Sequence, residues 1–234
     1  MKEQEWDDRI GELARESMQS NVYDRYYATK LTKERAALDI TQTGLFIKHR
    51  RDCWAQVSAN CPEMEVKQRI LEHEYEEIIE DEYSAFGHLA LLVQQAESVG
   101  VEPAAVLSTT PLPTTRAVLY AYGWLMREKS WPEGLAALMA TERTNDNRLL
   151  GDLDGGHSFR WGKKWVAELD LAWEKIPHDG AHSSADERHS DMFLPILEEF
   201  VPQHLEAAIL QAVRESLELR ELMYRGITEA MAAV

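Results

Sequence analysis

The chain has 234 residues, enough for one well-buried core, and carries 41 acidic against 25 basic residues for a formal charge of −16. So acidic a surface repels a phosphate backbone, which excludes nucleic acid as the natural partner. Cys53 and Cys61 are the only cysteines and form neither a Cys-x-x-Cys pair nor a Cys/His zinc pattern, which excludes a disulfide framework.

No apolar run approaches the ~20 residues of a membrane span. The start, Met1-Lys-Glu-Gln-Glu-Trp-Asp-Asp8, is acidic where a signal peptide would be basic and then apolar. A soluble, cytoplasmic protein is expected, with no membrane partner.

Apolar residues recur at helical spacing nearly throughout, and Val/Ile/Thr-rich runs bounded by tight turns are missing, so the chain reads as all-α. No linker, repeat or low-complexity segment divides it, and residues 1–234 are expected to form a single domain. In chain order the pattern predicts helices over roughly 4–18, 32–58, 62–82, 87–99, 113–129, 131–144, 158–174, 184–200 and 203–229, with ends good to a few residues. Pro62 sits at the start of the third helix, and Gly100 closes the fourth. Ser130-Trp-Pro-Glu133 reads as a capping box with a first-turn proline. Gly151-Asp-Leu-Asp-Gly-Gly156 is the clearest loop, and Pro195 should kink or end the eighth helix.

The third helix is strongly acidic from Glu72 to Glu82. At about 100° per residue, Ile70, Leu71, Tyr75 and Ile78 define its apolar side; Glu74 and Asp81 fall near that side and Glu80 opposite. Asp81 is therefore the expected inward carboxylate, with Glu77 and Glu80 as alternatives. His88 follows in an apolar context at the head of the next helix. Glu142 ends the run Gly134-Leu-Ala-Ala-Leu-Met-Ala-Thr-Glu142, so apolar that its carboxylate needs either a nearby cation or an exposed last turn.

His182, Asp186 and His189 lie at spacings of four and three, which on a helix puts two imidazoles and a carboxylate on one face. That set suits Fe, Mn or Zn, and iron with open positions is the usual oxygen-activating choice. A solvated His- and Asp-rich loop is the competing reading. Ser184-x-x-Glu187 is a second capping box, which would start the helix after His182 and leave that residue in a flexible turn ordered only by metal. None of the eight histidines has Glu three residues before it, which disfavours ferritin-like bundles. His-Glu-x-x-His, Gly-x-Ser-x-Gly, Walker A and Gly-x-Gly-x-x-Gly motifs are all missing.

An acidic helix leading to His88, an apolar helix ending in Glu142, and a late helix with His182-x-x-x-Asp186-x-x-His189 together resemble the heme-oxygenase-like di-iron oxidases. The similarity runs from about Ser20 to Gly226 and includes Val99-Gly-Val and Ser130-Trp-Pro-Glu-Gly-Leu-Ala-Ala-Leu. It implies a single heme-oxygenase-like helical bundle in which His88, Glu142, His182, Asp186 and His189 hold two Fe ions. A sixth ligand would come from the acidic helix; the family usually has Glu where this chain has Asp81, so Glu80 or Glu77 are the other candidates. The resemblance further implies O2 as co-substrate, an external reductant and oxidation of a small metabolite by N-oxygenation, oxidative C–C cleavage or nitrile formation, in a biosynthetic setting. A homodimer is compatible with it.

For the substrate, an amino-acid-like molecule is preferred to a fatty acid. Tyr27, beside Tyr23 and Tyr26, and Arg116 are the candidate contacts, with Arg160, Lys163 and Lys164 as other cations for a substrate carboxylate. The rivals are a TenA-like or PqqC-like protein of the same fold without a di-iron centre, and a helical binding protein whose His/Asp cluster is incidental. A TenA-like hydrolase would need a nucleophilic cysteine, and neither Cys53 nor Cys61 has an evident activating partner.

Overall fold

The computed structural model describes residues 1–234, except that the side chains of 184–186 lie outside the described residues. Helices account for all its regular structure: α1 (Glu3–Met18), α2 (Asn21–Ala28), α3 (Lys33–Asn60), α4 (Met64–Ile78), α5 (Gly87–Glu97) and α6 (Pro103–Val106). The second half holds α7 (Pro113–Glu128), α8 (Trp131–Arg143), α9 (His157–Leu169), α10 (Pro177–Met192), α11 (Leu194–Phe200) and α12 (Glu206–Met231).

α8 is the axis of the bundle. Every residue from Gly134 to Arg143 is buried, which explains why this helix is apolar on all sides and why Glu142 is inside rather than on an exposed last turn. Its start is the expected capping box, with the Ser130 N–H donating to Glu133 Oε2 at 3.0 Å. α12 runs along α8 and α7, and α3 packs across α7 and α8. The approach of α12 to the head of α7 depends on Gly226, where a Cβ would overlap the Thr114 side chain.

Two local expectations are corrected. α4 turns a different face inward: Leu71, Tyr75 and Ile78 are exposed, while Val66, Ile70, His73, Glu74 and Glu77 are buried. Those five positions form an i, i+4, i+7, i+8, i+11 stripe, as helical as the one expected, but its lower half is polar. The helix also stops at Ile78, so Asp81 lies in the following turn, where its Oδ1 accepts from the N–H groups of Tyr83 (2.9 Å) and Ser84 (2.8 Å). That side-chain-to-backbone pairing competes with helix continuation.

The late helix begins at Pro177 rather than Ser184, so His182 is helical and not in a turn. Proline at the first helical position has the right φ and no donor to satisfy. One first-turn donor is met from another helix: Gln95 Oε1 accepts from the Asp179 N–H at 3.1 Å while Gln95 Nε2 donates to Asp179 Oδ2 at 2.8 Å. A tertiary side chain thus does the work of a local cap. Pro195 acts as expected, inside the first turn of α11 after a break at Phe193.

Candidate metal centre

Four helices deliver the site. α4 contributes His73 and Glu77 four residues apart, α5 carries His88 in its first turn, α8 carries Glu142 in its last turn, and α10 presents His182 and His189. All six side chains are buried; His73, His88 and His189 have no exposed surface, and Glu142 and Glu77 are 1% and 3% exposed. Their potential ligand atoms fall into two groups, His73, Glu77 and His189, and Glu77, His88 and His182, each with its atoms within 4.8 Å of one another. Glu77 belongs to both. Glu142 lies beside the first group, its Oε1 at 3.6 Å from His73 Nε2.

The contacts inside the cluster are close but leave polar atoms unmatched. Glu77 Oε1 is 3.0 Å from His88 Nδ1 and 3.6 Å from His189 Nδ1. Yet Glu77 Oε1, His88 Nδ1, His73 Nε2 and Glu142 Oε2 are buried atoms that make no hydrogen bond. Four such atoms converging in one place are costly unless a further group satisfies them, and a bound ion is one of the few explanations. Ligands about 2 Å from an ion stand no more than about 4 Å apart, so each group needs only a small contraction. Two imidazoles and a carboxylate on each side, with Glu142 in addition, fit a pair of divalent transition-metal ions.

Outside the cluster, carboxylates orient the rings. Asp81 Oδ2 is 2.8 Å from His88 Nε2, and Glu76 Oε2 is 2.7 Å from His189 Nε2, so in both residues Nδ1 is the nitrogen turned to Glu77. Such partners fix tautomer and ring orientation in metal-binding histidines. Glu76, which also pairs with Arg188, is held below its ordinary carboxylate range chiefly by the His189 hydrogen bond.

Two arginines of α3 balance the inner carboxylates. Arg50 pairs with Glu142, and Arg51 Nη1 lies 3.0 Å from Glu77 Oε2 and 2.9 Å from Glu74 Oε1. Burial alone would raise both inner carboxyls. Arg51 and then His88 outweigh it at Glu77, as Arg50 and then His73 do at Glu142, and both stay well below the usual range.

The structure thus brings His88, Glu142, His182 and His189 together, as the sequence suggested. It sets Asp81 behind His88 rather than in either group, and leaves Glu80 exposed and bonded to the Tyr75 hydroxyl. Asp186 lies outside the described residues. His73, Glu76, Arg50 and Arg51 escaped the sequence reading; for His73 and Glu77 the signal was there, in register with Val66 and Ile70.

A cavity of about 60 Å³ opens beside His182. Its walls include Tyr26, Asp39, Trp161, Arg220 and Tyr224, and Arg50 joins it to the cluster. Asp39 accepts only from neutral donors, the Tyr26 hydroxyl at 2.8 Å and the Trp161 indole at 3.0 Å, and burial pushes its carboxyl up to about 7. Arg220, 5% exposed, donates only to Thr141 O, Thr144 Oγ1 and the Tyr224 hydroxyl, and no ion pair to it is formed among the described residues. Arg116 is exposed on α7, outside this wall, and Tyr27 stands one residue behind it, bonded to His157.

Comparison with known proteins places these observations in context. Residues 41–221 match the model of a family described as iron-containing redox enzymes. A domain of unknown function with a heme oxygenase-like fold from Shewanella denitrificans superposes with a TM-score of 0.76 at 20% identity, covering 98% of this chain and 93% of that one. A CADD-like protein of unknown function from Nostoc punctiforme gives 0.75 at 14% identity, with 97% and 98% covered. A TenA homologue from Pseudomonas syringae pv. tomato gives 0.62 at 12% identity, with 99% and 92% covered. At these identities the solved structures establish a shared heme-oxygenase-like helical fold. No curated protein sequence matches the chain.

Proposed function

The chain belongs to the iron-containing redox enzyme family, and we propose that it is an O2-activating non-heme di-iron oxidase or oxygenase acting on a small amino-acid-like metabolite. The observation that carries the di-iron reading is Glu77, a single buried carboxylate common to two groups of two imidazoles each. One carboxylate held between two imidazole pairs is what a bridging ligand requires. His73, His189 and Glu142 would hold one ion, and His88 and His182 the other. Two irons, when bound, supply two electrons to O2 and a Lewis-acidic surface for it.

The protein's own residues do the rest. Asp81 and Glu76 keep His88 and His189 in the ligating orientation, while Arg50 and Arg51 offset carboxylate charge in a dry interior. Trp54 and Phe193 stack at 5.0 Å, and His73 packs against both rings, which excludes water from that side.

The substrate reading rests on the cavity. Arg220 is a buried cation and Asp39 a buried carboxyl raised to about 7, both on the cavity wall and each met only by neutral groups among the described residues; a ligand with a carboxylate and an amine would pair with the first and draw the second into its ionised form. The cavity is small, about 60 Å³, and suits a compact molecule better than a long acyl chain. A TenA-like hydrolase is disfavoured because Cys53 is buried, its thiol pushed up to about 12 by burial, and neither cysteine lines the cavity.

The test is anaerobic loading with Fe(II) followed by metal analysis and Mössbauer spectroscopy. About two irons per chain are expected, reduced to one or none in Glu77→Ala, with O2 uptake triggered by an amino acid. A wild-type protein that takes up a single iron, or none, would refute the reading. An external reductant is proposed to return the metals to Fe(II).

A further inference from the structure

His157, at the start of α9, is a buried histidine that neither holds metal nor pairs with an acid. Both its ring nitrogens meet tyrosine hydroxyls: Nδ1 is 2.8 Å from the Tyr27 hydroxyl, and Nε2 is 2.9 Å from that of Tyr224. The two tyrosines differ in where they stand. Tyr27 is part-exposed at the surface, under the Arg160 guanidinium at 3.9 Å, whereas Tyr224 and His157 line the cavity beside His182. A continuous run of exchangeable groups therefore leads from the half-buried Tyr27 to the cavity: Tyr27 hydroxyl, His157 ring, Tyr224 hydroxyl.

We propose that Tyr27, His157 and Tyr224 form a proton path that carries protons from solvent to the cavity beside His182. This rests on the O2-reducing reading only for what consumes the proton: electrons delivered to oxygen must be matched by protons one for one, and most of the side chains lining the cavity are buried. In one passage Tyr27 O–H gives its proton to His157 Nδ1, His157 Nε2–H passes its own to the Tyr224 oxygen, and Tyr224 O–H releases one into the cavity. Water re-protonates Tyr27. Charge and atoms balance, and the ring is left in its other tautomer, so it delivers one proton and then resets before the next passage.

The surroundings keep the parts in the forms the path needs. The charged and titratable groups around the ring are Arg160 on its own helix, Arg220 and Tyr224 on α12, His178 on α10, and Tyr23, Tyr26 and Tyr27 on α2. Burial, then Arg220, Arg160 and His178, hold His157 well below its ordinary value, so the ring is neutral with one donor and one acceptor nitrogen. Burial raises both tyrosines, so they remain hydroxyls. Arg220 Nη2 donates to the Tyr224 oxygen at 3.1 Å, which turns that hydroxyl's own proton away from the guanidinium.

The experiment has two arms. In Zn(II)-loaded protein with ¹⁵N-labelled histidine, NMR should find His157 neutral, with a ring N–H that exchanges with solvent; Tyr27→Phe should slow that exchange at least tenfold. Tyr23→Phe, whose hydroxyl makes no hydrogen bond although its ring lies 5.8 Å from His157, should leave it unchanged. In Fe(II)-loaded protein, His157→Gln keeps a donor and an acceptor but cannot relay. It should fold normally, lower single-turnover O2 consumption about 100-fold, and lose the wild-type solvent isotope effect. Unchanged ring exchange in Tyr27→Phe, or wild-type rate and isotope effect in His157→Gln, would overturn the path. The NMR arm requires no iron chemistry, so its failure is distinct from failure of the di-iron reading.

Discussion

Replacing Arg50 by Met tests the electrostatics of the centre more directly than removing a ligand. Arg50 is buried on α3 and forms an ion pair with Glu142, whose second oxygen makes no hydrogen bond. Methionine keeps most of the volume and leaves Glu142 as a buried carboxylate without its main counter-charge. Breaking one side of such a pair costs about 3–5 kcal/mol, and at 2–4 °C per kcal/mol for a chain of this size the metal-free protein should melt roughly 6–20 °C lower. With divalent metal beside Glu142 the missing cation is replaced, and only a repacking cost of about 1.5 kcal/mol or less should remain. Reciprocity then requires that the variant bind metal more tightly by the difference, on the order of tenfold or more. The pH dependence follows the sign of the shift. Glu142 is depressed in the folded state, so its contribution is present above the ordinary carboxylate pKa of 4.5 and is lost as pH falls through the folded value; the variant should show less of that loss. Differential scanning calorimetry of both proteins, metal-free and Zn(II)-loaded, decides the matter. Equal destabilisation in the two states, or none in the metal-free state, would show that metal and Arg50 do not serve the same carboxylate.

Three further outcomes can be checked. Gly87 has φ +71°, and an added Cβ would sit 2.6 Å from Glu77 O and Ile78 C, so Gly87→Ala should part α4 from α5 and lower metal stoichiometry. The control is Gly100→Ala, at φ +85° with nothing within 4 Å, which should incur only the backbone strain of about 1–3 kcal/mol and retain full metal content. The Asp39 carboxyl, raised from 3.8 to about 7, favours the folded state at low pH and loses that advantage as pH rises to 7. Asp39→Asn should therefore remove a slope of up to about 1.4 kcal/mol per pH unit between pH 4 and 7 from the unfolding free energy, read by urea titration. Arg220→Met should weaken binding of an α-amino acid by about 10- to 100-fold while sparing the matching decarboxylated amine. Calorimetric titration with such pairs measures it, and equal weakening of both would contradict a carboxylate site at Arg220.

How much of this was legible in the sequence depended on the range of the interaction concerned. The all-α class was readable because apolar periodicity and helical spacing are local, whereas bringing Glu142, His88, His182 and His189 to one place followed only from the resemblance to the heme-oxygenase-like di-iron oxidases. The inner face of α4 was misread for a definite reason: Leu71, Tyr75 and Ile78 outvote Val66 and Ile70 on hydrophobicity, and the register that continues from those two to His73, Glu74 and Glu77 carries no apolar signal of its own. Charges of that kind belong inside only because Arg50 and Arg51 arrive from α3 and imidazoles from α5 and α10, a compensation that exists only in the folded chain.

The start of α10 has the same origin. Ser184-x-x-Glu187 is a sound local cap, and it lost to Pro177 because Gln95, some eighty residues away in sequence, bonds the Asp179 N–H and carboxylate together. This relocation carries a functional consequence. With His182 on a helix already anchored from α5, all four cluster histidines sit within helices, and His88, in the first turn of α5, is further held by Asp81 in the preceding turn. Metal would then enter a largely pre-formed site rather than fold one, and its uptake should leave backbone amide exchange over residues 178–183 nearly unchanged. Strong protection of that segment only after metal loading would restore the flexible-turn reading and remove Gln95 from its role.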